Sequence, residues 1–130
     1  MNSKQEEGQA MVEFALTLPI FVLLLCIIID SGWIFNRQLL VNNACREAAR
    51  YTAIHLNDSV SNDDQADAAA LVKNDLPGFS PPVVVLSYRD ANSVEIHVTV
   101  SVPILTGVTA TILRSSSIAI SSDSIMRIEP

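Results

Sequence analysis

The sequence predicts an α+β fold. One long N-terminal helix, its first half membrane-spanning and its second half amphipathic, packs on a small antiparallel β-sheet. Three observations carry this expectation. From Ala10 to Ile29 there are twenty residues in which Glu13 is the only charge. Small and apolar residues then recur at three-to-four spacing from Ile34 to Thr52. From Val83 onward the chain turns β-branched and alternates with the two-residue period of half-buried strands. A chain of 130 residues, 49% apolar, has room for one small domain and an appended segment.

The apolar run comes first. At 1.5 Å per residue, a helix over Ala10 to Ile29 is about 30 Å long, the thickness of the hydrocarbon core of a bilayer. No other window of the sequence matches it, so a single span is expected. Pro19 lies inside the run and removes one backbone donor, which predicts a kink or local loosening that neighbouring helices make tolerable. The residues before the run form a polar leader ending in Gly8, with Lys4, Glu6 and Glu7 nearly cancelling once the amino terminus is counted. It lacks the positive n-region of a secretory signal, and Asp30-Ser31-Gly32-Trp33 is a poor cleavage site. Orientation is weakly specified, because Arg37, Arg46 and Arg50 lie on the C-terminal side.

Glu13 is the anomaly in this segment. A carboxylate at membrane depth costs about 2.5–3.5 kcal/mol on insertion scales. Its helix neighbours are apolar and the arginines begin only at Arg37. The chain therefore supplies no partner, and one must come from the polar edge of the membrane or from another molecule.

Past the run the helix is expected to continue. Trp33 and Phe35 suit a membrane-interface belt. Ile34, Gln38, Val41, Cys45, Ala48 and Thr52 share one stripe, with Ala44, Ala49 and Ile54 near its flanks and Arg37, Arg46 and Arg50 off it. The small residues suit close packing on a sheet, and the arginines are either a solvated face or contacts to a partner. Cys26 and Cys45 are about 28 Å apart along such a helix and cannot bridge within one chain. They read as buried thiols, with an intersubunit disulfide through Cys45 as the alternative.

Residues 57–63 are a turn-rich break. Asn62 or Ser61 is positioned to cap a short helix from about Asp64 to Asp75, which Pro77-Gly78 stops. Val83 to Tyr88 is the first strand, Arg89 to Asn92 a turn, and Ser93 to Val102 the second strand, ended by Pro103. In that strand Val94, Ile96, Val98, Val100 and Val102 share one face, while Glu95, His97, Thr99 and Ser101 share the other. Residues 104–114 read as a Thr/Gly-containing crossover. A last strand runs from Ser116 to Ile128, with Ile118, Ile120, Met126 and Ile128 in phase.

Composition and motifs narrow the function. The net charge of −6 argues against a surface built to neutralise nucleic-acid phosphates. The acidity is concentrated in residues 57–76, where Asp58, Asp63, Asp64, Asp67 and Asp75 face Lys73 alone. Their spacing does not fit an EF-hand loop, so no metal is expected. Asn57-Asp58-Ser59 is a glycosylation sequon by pattern only. There is no HExxH, P-loop, GxGxxG or GxSxG element, and His55 and His97 have no Cys or Ser nucleophile at a pairing distance in sequence. Neither an enzyme nor a cofactor is expected.

The polar leader, Gly8-Gln9-Ala10-Met11-Val12-Glu13, Pro19, the Asp30-Ser31-Gly32 exit and Arg46-Glu47-Ala48-Ala49-Arg50 together resemble the TadE-like pseudopilins of tight-adherence (Flp) pilus systems. The resemblance covers residues 8–53 well and the remainder only in general character. It implies a pilin-like architecture with a leader at 1–8, a transmembrane and assembly helix at 9–30, and an extracytoplasmic α+β domain at 31–130. It implies cleavage between Gly8 and Gln9 by a prepilin peptidase, which makes Glu13 the fifth residue of the mature chain. Glu13 would then pair with the new α-amino group of Gln9 on a neighbouring subunit. Asp30, Arg46 and Arg50 are further candidate contacts between subunits. The implied setting is the bacterial inner membrane, crossed once. The implied partners are the peptidase, other pilin or pseudopilin subunits, the inner-membrane pilus assembly platform and membrane lipid, with no nucleic acid. Two alternatives stand beside this reading. One is an uncleaved single-span anchor that displays a small adhesive or scaffold domain, and the weaker one is a membrane-tethered enzyme.

Overall fold

The computed structural model describes residues 3–55, 62–90 and 92–128, with side chains described from Gly8 onward and not at Asn62. The order of elements is α1 (Ser3–His55), α2 (Asn62–Asp75), β1 (Val83–Asp90), β2 (Ser93–Pro103), α3 (Gly107–Leu113) and β3 (Ser117–Arg127). Helix α1 packed on a three-stranded antiparallel sheet of order β1-β2-β3 makes the α+β layout that the residue pattern predicts.

Helix α1 holds 53 residues, about 80 Å of helix, and its assignment is unbroken across Gly8, Pro19 and Gly32. Thr17, Ser31 and Thr52 each return a hydroxyl to the carbonyl four residues earlier, so these polar side chains satisfy themselves on the helix surface. Its two halves differ in surroundings. Every described side chain from Gly8 to Leu25 is exposed, Cys26 is half-buried, and Asp30 is the first that is buried.

The core lies where the second half of α1 meets the sheet. Val41, Ala44, Cys45, Ala48, Ala49, Thr52 and Ala53 are buried along the stripe that the sequence marks. Ile54 departs from the expectation: it points outward, 61% exposed, and Ala53 takes the inward position. Strand β2 is central, and Val94, Ile96, Val98, Val100 and Val102 are all buried, as their alternation requires. The register sets Val84 opposite Val98 and Leu86 opposite Ile96 on one side, and Ile120 opposite Val100 on the other. Alanines and Cys45 on α1 let the helix approach closely enough for the Cys45 thiol to donate to the carbonyls of Ile96 and Ser122, at 3.5 and 3.4 Å. A Leu in place of any of these small residues would force the layers apart.

Helix α2 closes the β1 side of the core with Ala68 and Val72, and Leu76 just past its end joins them. Asp63 and Asp64 lie in its first turn and Lys73 in its last, the arrangement the helix dipole favours. Gly78 follows at φ +80°, a left-handed conformation that side chains disfavour, and the helix stops there. The expected cap at Ser61 or the Asn62 side chain, and the sequon at 57–59, lie outside the described residues.

One element corrects the sequence reading. Residues 104–114 are more than a crossover, since they contain α3. Val108, Thr109, Thr111 and Ile112 are β-branched and favour helix weakly, so local propensity conceals it. Long-range hydrogen bonds to α1 hold its first turn in place instead.

Candidate functional site

The residues singled out on the N-terminal half of α1 form no pocket. They form an exposed rod. Met11, Phe14, Leu16, Ile20 and Phe21 are between 58% and 77% exposed, and the most apolar eighteen-residue window of the helix is not buried at all. A helix apolar on all sides and uncovered by its own fold is a candidate membrane span rather than a core helix.

Within that rod, Gly8 and Gln9 lie on continuous helix, and a Cβ built at Gly8 would meet nothing within 4 Å. Glu13 is exposed, and its carboxylate has no hydrogen bond or ion pair among the described residues. The nearest described arginine, Arg37, is about 36 Å further along the axis. Pro19 leaves the helical assignment unbroken.

At the other end of the run the surroundings change within one turn. Asp30 is 2% exposed. One carboxylate oxygen accepts the backbone N–H of Leu105 at 3.2 Å and of Thr106 at 3.1 Å, and the other accepts the Thr106 hydroxyl. The Thr106 hydroxyl also lies 2.8 Å from that of Thr109. Thr106 is the N-cap residue of α3, yet its side chain makes no cap bond, because Asp30 claims it. Where the sequence suggested a contact between subunits at Asp30, the structure supplies one within the chain.

A turn further, the Trp33 indole donates to the carbonyl of Pro103 at 3.2 Å. The Arg37 guanidinium lies 4.0 Å from the Trp33 ring centre and 4.6 Å from that of Phe79. Trp33 is thus half-buried in the head, while Phe35 stays 65% exposed. Together Asp30, Trp33 and Arg37 make a neck that ties α1 to the end of β2 and to the turn after α2. Sequence reasoning missed this neck. The Trp33–Arg37 half is a four-residue helical pair and was legible as such, but Phe79, Pro103 and Thr106 come from distant segments and left no local signal.

Arg46 and Arg50 are exposed and have no hydrogen bond or ion pair among the described residues. Cys45 is fully buried, and burial pushes its thiol above the ordinary value, with the hydrogen bond to Ser122 acting against that rise. This is the buried thiol of the sequence reading and not a group exposed for an intersubunit bridge. On the open face of the sheet His97 meets Asp123 across β2 and β3, and the Thr99 hydroxyl lies 3.1 Å from its other ring nitrogen. The groove between α2 and β1 is lined by Gln65, Ala66, Ala69, Pro82, Val83 and Val84, none of them ionisable. No three His, Cys, Asp or Glu side chains gather as a metal site among the described residues.

No curated protein and no solved structure matches the chain. A family model does: the one described as TadE-like protein, over residues 8–50. That stretch opens at the glycine before the apolar run, includes Glu13, Asp30, Trp33, Arg37 and the small-residue stripe as far as Ala49, and closes at Arg50. Over residues 8–50 the chain is thus similar to the TadE-like family, the one that its motifs resemble.

Proposed function

We propose that the chain is a minor pseudopilin of a tight-adherence pilus, cut between Gly8 and Gln9 by a prepilin peptidase and needed to build that pilus as a subunit that enters or primes the filament. The observation that carries this reading is Glu13: an exposed carboxylate without a partner among the described residues, five positions after a glycine, inside a bare apolar helix that matches the TadE-like family. Cleavage after Gly8 would create a positive α-amino group at Gln9. On a neighbouring subunit that group would meet Glu13 in a desolvated filament core or bilayer, where charge pairing is strong. The glycine also supports its own role as a cleavage site. Helix α1 continues through Gly8, and glycine weakens a helix by about 1 kcal/mol relative to alanine, so the strand-like conformation a peptidase needs is easiest to reach there.

In this reading the span sits in the bacterial inner membrane and the head beyond Asp30 lies outside the cytoplasm. The exposed Arg46 and Arg50 contact adjacent pilin subunits or the assembly platform.

The test is the mature N-terminus. With a prepilin peptidase co-expressed, mass spectrometry should find a chain beginning at Gln9, and Gly8→Ala should keep the leader. The space around Gly8 makes that substitution sterically neutral, so lost cleavage would report on the glycine at the cut site, through recognition or through the firmer helix that alanine makes, and not on misfolding. A wild-type chain that retains its leader beside an active peptidase would overturn the proposal in favour of an uncleaved anchor.

A further inference from the structure

The connection from Ile104 to Ser116 is the part of the head nearest the span, and its exposed surface is of the wrong kind for water. Its position is fixed by Asp30, which directly follows the last residue of the apolar run and holds the Leu105 and Thr106 amides. The sheet lies further from the span: Pro103 and Ser117 pair at its end, and the Pro103 carbonyl is reached by Trp33, three residues past Asp30 on α1. Helix α3 contacts α1, and the bond from its N-cap amide to Asp30 sets its start at the level where the run ends.

Its composition is apolar. From Ile104 to Leu113 there is no charged residue, and Arg114 follows immediately in a left-handed conformation. The arrangement is inverted relative to a water-facing helix. Ile104, Thr106, Thr109 and Ala110 are the half-covered residues, and Thr106 and Thr109 share the Asp30 site. Val108 and Ile112, four apart on one face of α3, are 45% and 57% exposed, and Leu105 just before the N-cap and Leu113 at the last position are each 53% exposed. No residue of α3 is buried. Threonines turned to the fold and large aliphatic side chains turned outward make sense where the surroundings are less polar than the contact with the fold.

We infer that α3 is a membrane-interface foot, which lays Leu105, Val108, Ile112 and Leu113 into the boundary between headgroups and acyl chains of the bilayer that holds α1. The inference rests on the membrane-span reading of α1. The lipid surface is the chosen occupant because this apolar face continues the apolar surface of the span at the same level, with only the enclosed Asp30 between them. Interfacial helices seat roughly 5–10 Å deep, and the exposed Arg114 at the end of α3 suits lipid phosphates. The foot gives the head a second attachment to the membrane, so that it cannot swivel freely about α1.

Depth-dependent quenching tests this on the full chain in phosphatidylethanolamine–phosphatidylglycerol vesicles doped with bromolipid. In a Trp33→Phe background, single probes are placed by Val108→Trp on α3, Leu18→Trp in the span and Val85→Trp on the open face of the sheet. The Val108→Trp probe should lose about half its emission to lipids brominated high on the acyl chain and shift to the blue, independent of the protein-to-lipid ratio. The Leu18→Trp probe should be quenched and the Val85→Trp probe should not. If Leu18→Trp is quenched while Val108→Trp behaves like Val85→Trp, the foot is wrong and the span stands. If Leu18→Trp escapes quenching, the span reading itself fails and takes the foot with it. If Val108→Trp is shielded from aqueous iodide only at high protein density and never meets bromolipid, a second copy of the chain covers α3 and the lipid assignment is overturned.

Discussion

Glu13 and Asp30 stand seventeen residues apart on α1, at the two ends of one apolar run. Both are carboxylates that the run itself cannot solvate. Asp30 is enclosed by its own chain, with one oxygen on two backbone amides and the other on a hydroxyl. Glu13 projects from a bare helix without a partner among the described residues. The difference teaches how to sort ionisable groups in such a segment. A carboxylate whose acceptor capacity is filled internally organises the fold, and little remains for a neighbour. One left unfilled beside apolar surface is available to another molecule, and its cost is offset only when that molecule arrives.

The largest effect should come from emptying the filled site. Asp30→Leu strands the Leu105 and Thr106 amides and leaves the Thr106 hydroxyl only Thr109, so the 104–116 connection should come away from α1. In the full chain in detergent, tryptic cutting after Arg114 should accelerate by at least about tenfold, because cleavage follows local opening. Amide protection at the centre of β2 should persist, since that core is built from other residues. Unchanged cutting after Arg114 would mean that Asp30 holds nothing, and the contrast with Glu13 would collapse.

Thr106→Val is milder. It removes one of the three bonds to Asp30 and keeps both amides, so the loss should be about 1 kcal/mol and the same cleavage several-fold faster. An effect as large as that of Asp30→Leu would shift the weight of the neck from the amides to the hydroxyl.

How much of this was readable beforehand follows from the range of each interaction. The stripe from Val41 to Ala53 and the alternation of β2 are period signals, and a period fixes a face without knowledge of what covers it. Glu13 was legible for a related reason: a charge in a twenty-residue apolar run needs no tertiary information to stand out. Asp30 was visible only as the end of that run. Its partners are 75 and 76 residues away, and nothing at Leu105 or Thr106 announces them. Helix α3 was hidden by the same distance, because β-branched residues stay helical there through contacts with α1. Arg37 looked like a third surface arginine until Phe79 closed over it from the turn after α2.

Cys45 extends the comparison to a third ionisable group of α1, enclosed in the head as Asp30 is in the neck. Its thiol is raised by burial, so the folded state holds the proton more tightly than the unfolded one. The stabilising contribution is therefore complete below the ordinary value of 9.0 and is lost as the pH climbs through the folded value. The slope cannot exceed about 1.4 kcal/mol per pH unit for one proton. Thermal melts at pH 8 and pH 10 should show a larger drop for the wild type than for Cys45→Ala. Equal drops would mean that this thiol ionises as readily folded as unfolded.

Glu13→Leu should have the smallest effect on the fold and the sharpest on function. No described contact is lost, so melting of the head and protection of β2 should match the wild type. Removing a charge from membrane depth should ease insertion by up to about 3 kcal/mol. Gly8 and Gln9 are untouched, and the mature chain should still begin at Gln9. Under the proposed function, what disappears is the carboxylate offered to a neighbouring subunit's new amino terminus, so pilus assembly should fail although a stable, inserted and processed subunit is present. Glu13→Gln separates charge from shape: it keeps a hydrogen-bonding end and should restore little assembly if ion pairing is the contact. Normal piliation in Glu13→Leu cells would show that the unfilled carboxylate is merely tolerated, and the distinction drawn from Asp30 would then describe solvation alone and not assembly.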